Sequence, residues 1–234
     1  MKRPIAVLAA LLAVLELLEL WARVDLGAGF VQGAWIGPPQ AISGRFDPYL
    51  GWANRESSRA RIAANLKLAS SQKVRALFSE MNPHLVGDKL FETRWTRERQ
   101  DAAVLIPIFD RPAGPTVLLT VRSADTPSHA GQICFPGGRV QADDGNSTIT
   151  ALRETEEEVG IARELVDVIG ALGAHQGGLG FSVTPVVGVV DAKAAIHPAP
   201  REVAEAFEVP LSFISDLANH SVEQREEQGV AFNI

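Results

Sequence analysis

The residues best suited by type and spacing to do chemistry lie in one short stretch, Arg153-Glu154-Thr155-Glu156-Glu157-Glu158-Val159-Gly160-Ile161. On a helix, Glu154 and Glu158 are one turn apart and Glu157 lies beside them. Three carboxylates then share one face, while Glu156 points away. Like charges at this spacing cost an isolated helix about 0.2–0.5 kcal/mol per pair. A hard divalent cation would turn that cost into a ligand set, since Mg²⁺ takes carboxylate oxygens and keeps several waters. The bland reading is a solvated acidic face with Arg153 as local counter-charge. Context on both sides favours the chemical reading. Phe135-Pro136-Gly137-Gly138-Arg139 precedes the acidic run, and its two glycines let backbone approach a ligand or the helix closely. Gly160 follows the run, where a helix-ending glycine belongs.

Several elements must position these groups. Ser147 to Val159 reads as the helix that carries the acidic face. Ala103 to Phe109 and Thr116 to Val121 read as a hairpin around the turn cluster Asp110 to Pro115. Ile133 to Phe135 is a short strand running into the glycines. Leu165 to Leu172 and Val183 to Val190 are two further strands, and Pro210 to Leu217 a last short helix. Upstream, Arg59 to Glu80 has apolar residues at near-helical spacing and is stopped by Asn82-Pro83. Helices interleaved with strands imply an α/β or α+β sheet domain.

The chain has 234 residues, 46% hydrophobic and 21% charged, with a net charge of −6. That is ordinary globular composition. With no basic stripe, it argues against a nucleic-acid binder. Cys134 is the single cysteine, so neither a disulfide framework nor a cysteine-rich zinc site can be built. Lys2 and Arg3 precede an apolar run from Ile5 to Leu15, as in a signal peptide. Glu16 and Glu19 interrupt the pattern, no small-x-small cleavage site follows, and the run is short for a membrane span. An ordinary helix, a signal or anchor, and an extension all stay open. The balance favours a cytoplasmic protein and goes against membrane contact. Residues 1–55 read as a helix and an irregular Gly/Pro/Trp-rich segment, 56–100 as a helical lead-in, and 101–234 as the domain with the acidic helix.

Gly138 through Ile161 resembles the Nudix box, G-x5-E-x7-R-E-U-x-E-E-x-G-U, where U is apolar. The second half matches at Arg153, Glu154, Glu157, Glu158, Gly160 and Ile161. Thr155 departs at an apolar position. The motif's isolated Glu would fall at Gly145; Asp144 is the substitute, with one extra residue in the loop. A second signature is Leu118-Leu119-Thr120-Val121-Arg122-Ser123, His129-Ala130-Gly131-Gln132 and Phe135-Pro136-Gly137-Gly138. It resembles the coenzyme A diphosphatase branch, although an Arg expected near Pro127 is missing.

The resemblance implies a Nudix-type α/β/α sandwich with a mixed β-sheet, preceded by a helical N-terminal extension. It implies Mg²⁺ or Mn²⁺ held by Glu154, Glu157, Glu158 and Asp144, and hydrolysis of coenzyme A or its thioesters to 3′,5′-ADP and 4′-phosphopantetheine or its acyl form. Glu157, or alternatively Glu202, would take the water's proton, and Arg153 would orient the Glu face. Arg122, His129, Gly137, Gly138 and Arg139 would contact the substrate. Three of these residues keep bland alternatives: a surface ion pair at a strand end for Arg122, a capping role for His129, and an exposed helix-start carboxylate for Glu202. Cys134 reads as a small buried hydrophobe beside Phe135. Other diphosphate substrates (ADP-ribose, NADH, a nucleoside triphosphate) and a catalytically silent binding domain stay as alternatives, and a homodimer stays open. Members of the branch continue further at the C-terminus, so the domain is expected to be C-terminally incomplete and marginally stable.

Overall fold

The computed structural model describes residues 79–88, 98–125, 130–176, 180–215, 217–219, 222, 224–227 and 230–233. The expected helix at 1–22, the irregular segment at 25–55 and most of the helix at 59–80 lie outside the described residues. Residues 79–81 are helical, and Pro83–Leu85 form a 3-10 turn directly after Asn82.

Two long strands form the backbone of the domain. β1 (Gln100–Arg111) and β2 (Gly114–Arg122) pair antiparallel through a tight turn, from Arg111 opposite Gly114 to Ile108 opposite Val117. Beyond that register they part, and two short strands fill the fork. β3 (Ile133–Cys134) pairs with the end of β2, and β4 (Gly137–Arg139) pairs with the start of β1. The connecting Pro136 carbonyl accepts from Leu105 N at 2.9 Å, which ties the glycine segment to mid-β1. This fork carries the site.

The other edge of β1 pairs parallel with β7 (Phe181–Val190), and β7 pairs antiparallel with β5 (Val166–Ala171) and β6 (His175–Gln176). β8 (Val203–Pro210) covers the outer edge of β2. The result is a mixed eight-stranded sheet. A separate hairpin joins β9 (Gln224–Glu227) to β10 (Val230–Asn233). It is tied to residues 81–84: the Asn82 side chain donates to Asn233 O and accepts from Asn233 N, and the Asn233 side chain donates to Met81 O.

Alternation along the strands loads both sheet faces. Ala103, Leu105, Phe109, Leu118, Val186 and Val190 face α1 (Ser147–Val159), where Ala151, Leu152 and Val159 meet them. Ile106, Ile108, Val117 and Val187 face the other way, against Phe135, Leu172 and α2 (Leu211–Ser215). One helix therefore covers each face, giving the expected α/β/α sandwich. Fully burying one such Leu, Ile or Val stabilises by about 1.5–3 kcal/mol.

Two expected elements differ. Val203–Pro210, which carries no strand assignment in the sequence reading, is β8; pairing along β2 overrides the helical leaning of its Ala and Glu residues. The last helix, expected at Pro210 to Leu217, is Leu211–Ser215 followed by a 3-10 turn at Leu217–Asn219, because Pro210 ends β8.

Candidate functional site

α1 is fixed at both ends. The Asn146 side chain accepts from Ile149 N at 3.0 Å, and Gly160 takes a left-handed conformation with φ 71°, its N–H donating to Glu156 O. Beyond Gly160 the chain returns along the helix end, where His197 N and Ala199 N donate to the carbonyls of Val159 and Glu158, both at 2.8 Å. Thr155 is buried at the motif's apolar position. Its hydroxyl donates back to Ala151 O at 2.7 Å, so no partnerless polar group enters the core.

The helix presents its carboxylates to the fork. Glu158 lies deepest, its side chain 4% exposed, between β4 and the end of β2. Gly137 N donates to one oxygen at 3.0 Å, and Arg122 Nη1 lies 3.7 Å from the other. Burial raises its carboxyl to about 7 despite those two partners; the charges of Glu154 and Glu202 add to the rise. Burial likewise raises Glu154, with Glu157 and Glu202 contributing and Arg153 opposing. Glu157 is the open member, its side chain 54% exposed. Glu156 is turned away, in an exposed pair with Arg163.

Arg153 organises this face. Its guanidinium donates to Glu154 at 2.8 Å, to Glu157 at 3.1 Å and to the Arg139 carbonyl at 3.2 Å. The same guanidinium grips both oxygens of Asp144, at 2.8 and 2.9 Å. Asp144 is buried and also accepts from Gln141 N at 2.8 Å and Thr150 Oγ1 at 2.9 Å. These donors, the Arg153 guanidinium first, hold its carboxyl well below the usual range. Asp144 was expected among the metal ligands. In this structure four protein donors, two of them on Arg153, engage its two oxygens.

The two glycines have separate tasks. A Cβ on Gly138 would overlap the Glu154 carboxyl group, so the missing side chain is the space that Glu154 fills. A Cβ on Gly137 would overlap backbone, Ala103 O and Val104 Cα, at a φ of 157°.

Arg122 is no surface ion pair. Its side chain is 26% exposed beside Glu158, and its Nε is buried with no hydrogen-bond partner among the described residues. Gln132, whose carbonyl accepts from Arg122 N at 2.9 Å, likewise has a buried Oε1 without a partner among the described residues. Glu202 is an exposed residue in the turn before β8, not at a helix start, and its carbonyl accepts from Ser123 N at 2.8 Å. Cys134 is half-buried and meets the Thr120 hydroxyl at 3.3 Å, and burial raises its thiol. His129 lies outside the described residues. Sequence reasoning missed Thr150, for which the hydroxyl six residues after Asp144 was the available signal, and named Gln132 only within the second signature.

Among the described residues, no three acidic, His or Cys side chains are gathered to coordinate one ion in this conformation. The reason is visible: Arg153 draws Glu154 and Glu157, while Gly137 and Arg122 hold Glu158. The donor chemistry nevertheless fits a hard cation. Glu154, Glu157, Glu158 and Glu202 face two guanidiniums, one already committed to Asp144, and two of the four carboxyls are raised by burial and mutual repulsion. Mg²⁺ commonly uses one or two carboxylates together with waters and substrate phosphates.

Comparison with known proteins places this arrangement. The family profile described as NUDIX domain matches residues 99–226. The chain belongs to the Nudix family. The acidic face on α1 and the Gly137-Gly138 segment thus lie in a Nudix domain. A Pectobacterium atrosepticum protein named uncharacterized Nudix hydrolase NudL is 50% identical over 118 residues, 50% of this chain and 61% of that protein. A namesake from Photorhabdus laumondii is 46% identical over 127 residues, 54% of this chain and 67% of its own length. The chain therefore spans about three fifths to two thirds of these relatives. Among solved structures, the Nudix hydrolase RenU from M. smegmatis aligns over 51% of this chain and 75% of its own, at 23% identity and a TM-score of 0.43.

Proposed function

We propose that this Nudix domain hydrolyses the diphosphate bond of coenzyme A or its thioesters with the help of Mg²⁺ or Mn²⁺. One observation carries the reading: two carboxylates of α1, Glu158 and Glu154, meet the Gly137-Gly138 backbone while Arg153, anchored on Asp144, spans Glu154 and Glu157. The second signature in the sequence directs it to coenzyme A. ADP-ribose, NADH and nucleoside triphosphates are the alternative substrates, and a silent binding domain the alternative role.

Glu154 and Glu158 would hold the cation, with Glu157 beside them. Asp144 leaves the ligand set and becomes the anchor of Arg153. A bound cation would neutralise diphosphate charge and lower the pKa of a water. Glu157, the most open of the three, accepts the proton of the attacking water; Glu202 is the alternative base. Arg122 donates to a phosphate oxygen, which would satisfy its buried Nε. A small-molecule substrate and a cytoplasmic setting belong to the same proposal. No helix among the described residues is long and apolar enough to cross a membrane.

Glu157→Gln tests the base. Turnover is expected to fall by roughly 10²–10⁴-fold, the usual worth of general base catalysis, with Mn²⁺ affinity changed little. Near-parent turnover in a metal-titrated assay would remove Glu157 from that role.

The glycines supply a paired test. Gly138→Ala displaces the far end of a movable side chain. It should therefore weaken Mn²⁺ binding by about tenfold or more while the melting temperature stays near the parent's. Gly137→Ala strikes backbone and should cost about 1–3 kcal/mol of stability. Equal melting temperatures for the two variants would contradict these separate tasks.

A further inference from the structure

β4 faces two ways. Gly138 pairs with Ala103 and abuts Glu154 on the α1 side, whereas Arg139 pairs with Ala102 and so lies on the opposite face. Phe181 opens β7 opposite Gln100, on that same opposite face. The Arg139 guanidinium reaches across β1, over the small side chain of Ala102, to lie 5.3 Å from the centre of the Phe181 ring. Ala102 is buried beneath this crossing. Among the described residues no carboxylate pairs with Arg139, and the residue is exposed. The same sheet face beside it is half-exposed at Phe181 and Val183, then buried at Pro185 and Val187, where the core cluster under α2 begins.

From this juxtaposition we infer that Phe181 and Arg139 form a stacking site for the nucleobase of the substrate. Planar heteroaromatic rings stack on aromatic side chains and on guanidinium planes, and such stacking tolerates any base. The site is continuous with the acidic face. Arg139 follows Gly138 directly, and its carbonyl accepts from Arg153 at 3.2 Å. β4 is three residues long and pairs only with β1 among the described strands. A nucleotide with its base between the Phe181 ring and the Arg139 guanidinium can pass over the open edge of β4 and present its diphosphate to Glu154. Arg139 thus becomes a base contact, and Phe181 an added specificity residue. This inference rests on the proposal that the substrate is a nucleoside diphosphate derivative.

The test measures binding, not turnover, so that it stands apart from the hydrolase reading. ADP and inorganic pyrophosphate are titrated calorimetrically into the full chain and into Phe181→Leu, which keeps apolar volume, and Phe181→Ala. The expected result is that the parent binds ADP more tightly than pyrophosphate. Both variants should lose roughly tenfold or more in ADP affinity with pyrophosphate affinity unchanged. Phe181→Trp restores ADP affinity and shows fluorescence quenching by ADP beyond any seen in the parent. A Phe181→Leu protein that melts like the parent and binds ADP as tightly as the parent overturns the inference. So does a parent that binds ADP no better than pyrophosphate. Failure to cleave any diphosphate, with the ADP pattern intact, would count against the hydrolase proposal and leave the stacking site standing.

Discussion

Glu158→Gln is expected to melt at a higher temperature than the parent in metal-free buffer at pH 8, and to be inactive. The two effects share one cause. Glu158 is buried, and its carboxyl is raised to about 7 from an ordinary value of 4.5. A carboxyl with a raised folded pKa binds its proton better in the native state, so stability is greatest below the unfolded value. It declines as pH rises from about 4.5 towards 7 and stays low above that. The penalty at pH 8 is at most about 3 kcal/mol, by the conversion of pKa shift to free energy. Glutamine keeps an acceptor for Gly137 N but removes the charge. A gain of about 1–2 kcal/mol, or a rise of roughly 2–8 °C in melting temperature for a chain of this size, follows. At pH 5 most of the gain should vanish, because the parent carboxyl is then largely protonated when folded. Added Mn²⁺ should stabilise the parent more than the variant, by mass action on the folded state. Turnover should fall by about 10³-fold, since a cation's stabilisation of transition-state charge is worth several kcal/mol. Thermal melts at pH 5 and 8, with chelator and with Mn²⁺, check all these signs. A variant less stable than the parent at pH 8 without metal would show that the Glu158 charge supports the fold.

Asp144→Asn should lower activity by roughly 10–100-fold, the usual cost of losing a group that orients metal-bound residues. Asp144 touches Arg153, Thr150 and Gln141 N, and Arg153 in turn spans Glu154 and Glu157. Replacing the carboxylate with an amide turns a donor towards the guanidinium and releases it. The fold also loses an acid-sensitive anchor. Because partners hold the folded pKa of Asp144 below its ordinary value, its contribution is present above pH 4 or so and is lost as pH falls. The stability gap between parent and variant should therefore be full at pH 7, start to narrow only below about pH 4, and close only well below the usual carboxylate range. Arg153→Lys is the partner experiment: one ammonium cannot grip both oxygens of Asp144 and span two glutamates. If Asp144 acts through Arg153, the double substitution should cost little more than the larger single one. Fully additive losses would mean that Asp144 works independently, as a metal ligand would.

The sequence made the acidic helix legible almost residue by residue. The carboxylates at one-turn spacing and Gly160 at its end are local signals, and the structure places α1 at Ser147–Val159. The hairpin strands were legible for the same reason, through apolar runs around a turn. β8 was hidden because its residues lean towards helix, and only the edge of β2 makes them a strand. The partners of Asp144 were hidden too. Its motif position says that an acid is wanted, but its partners come from the loop and one helical turn, and their geometry exists only after folding. Arg122 beside Glu158 is a contact between residues far apart in the sequence. No local spacing reports such a contact. Thr155 could be flagged as a departure from the motif, yet its solution, a bond back to Ala151, needed the helix built.

The most direct measurement incubates the protein with coenzyme A and Mg²⁺ or Mn²⁺, then identifies products, with Glu158→Gln alongside. The account predicts metal-dependent release of 3′,5′-ADP and 4′-phosphopantetheine by the parent and none by the variant. A parent that cleaves neither coenzyme A nor ADP-ribose nor NADH with either metal, or a variant as active as the parent, would contradict it.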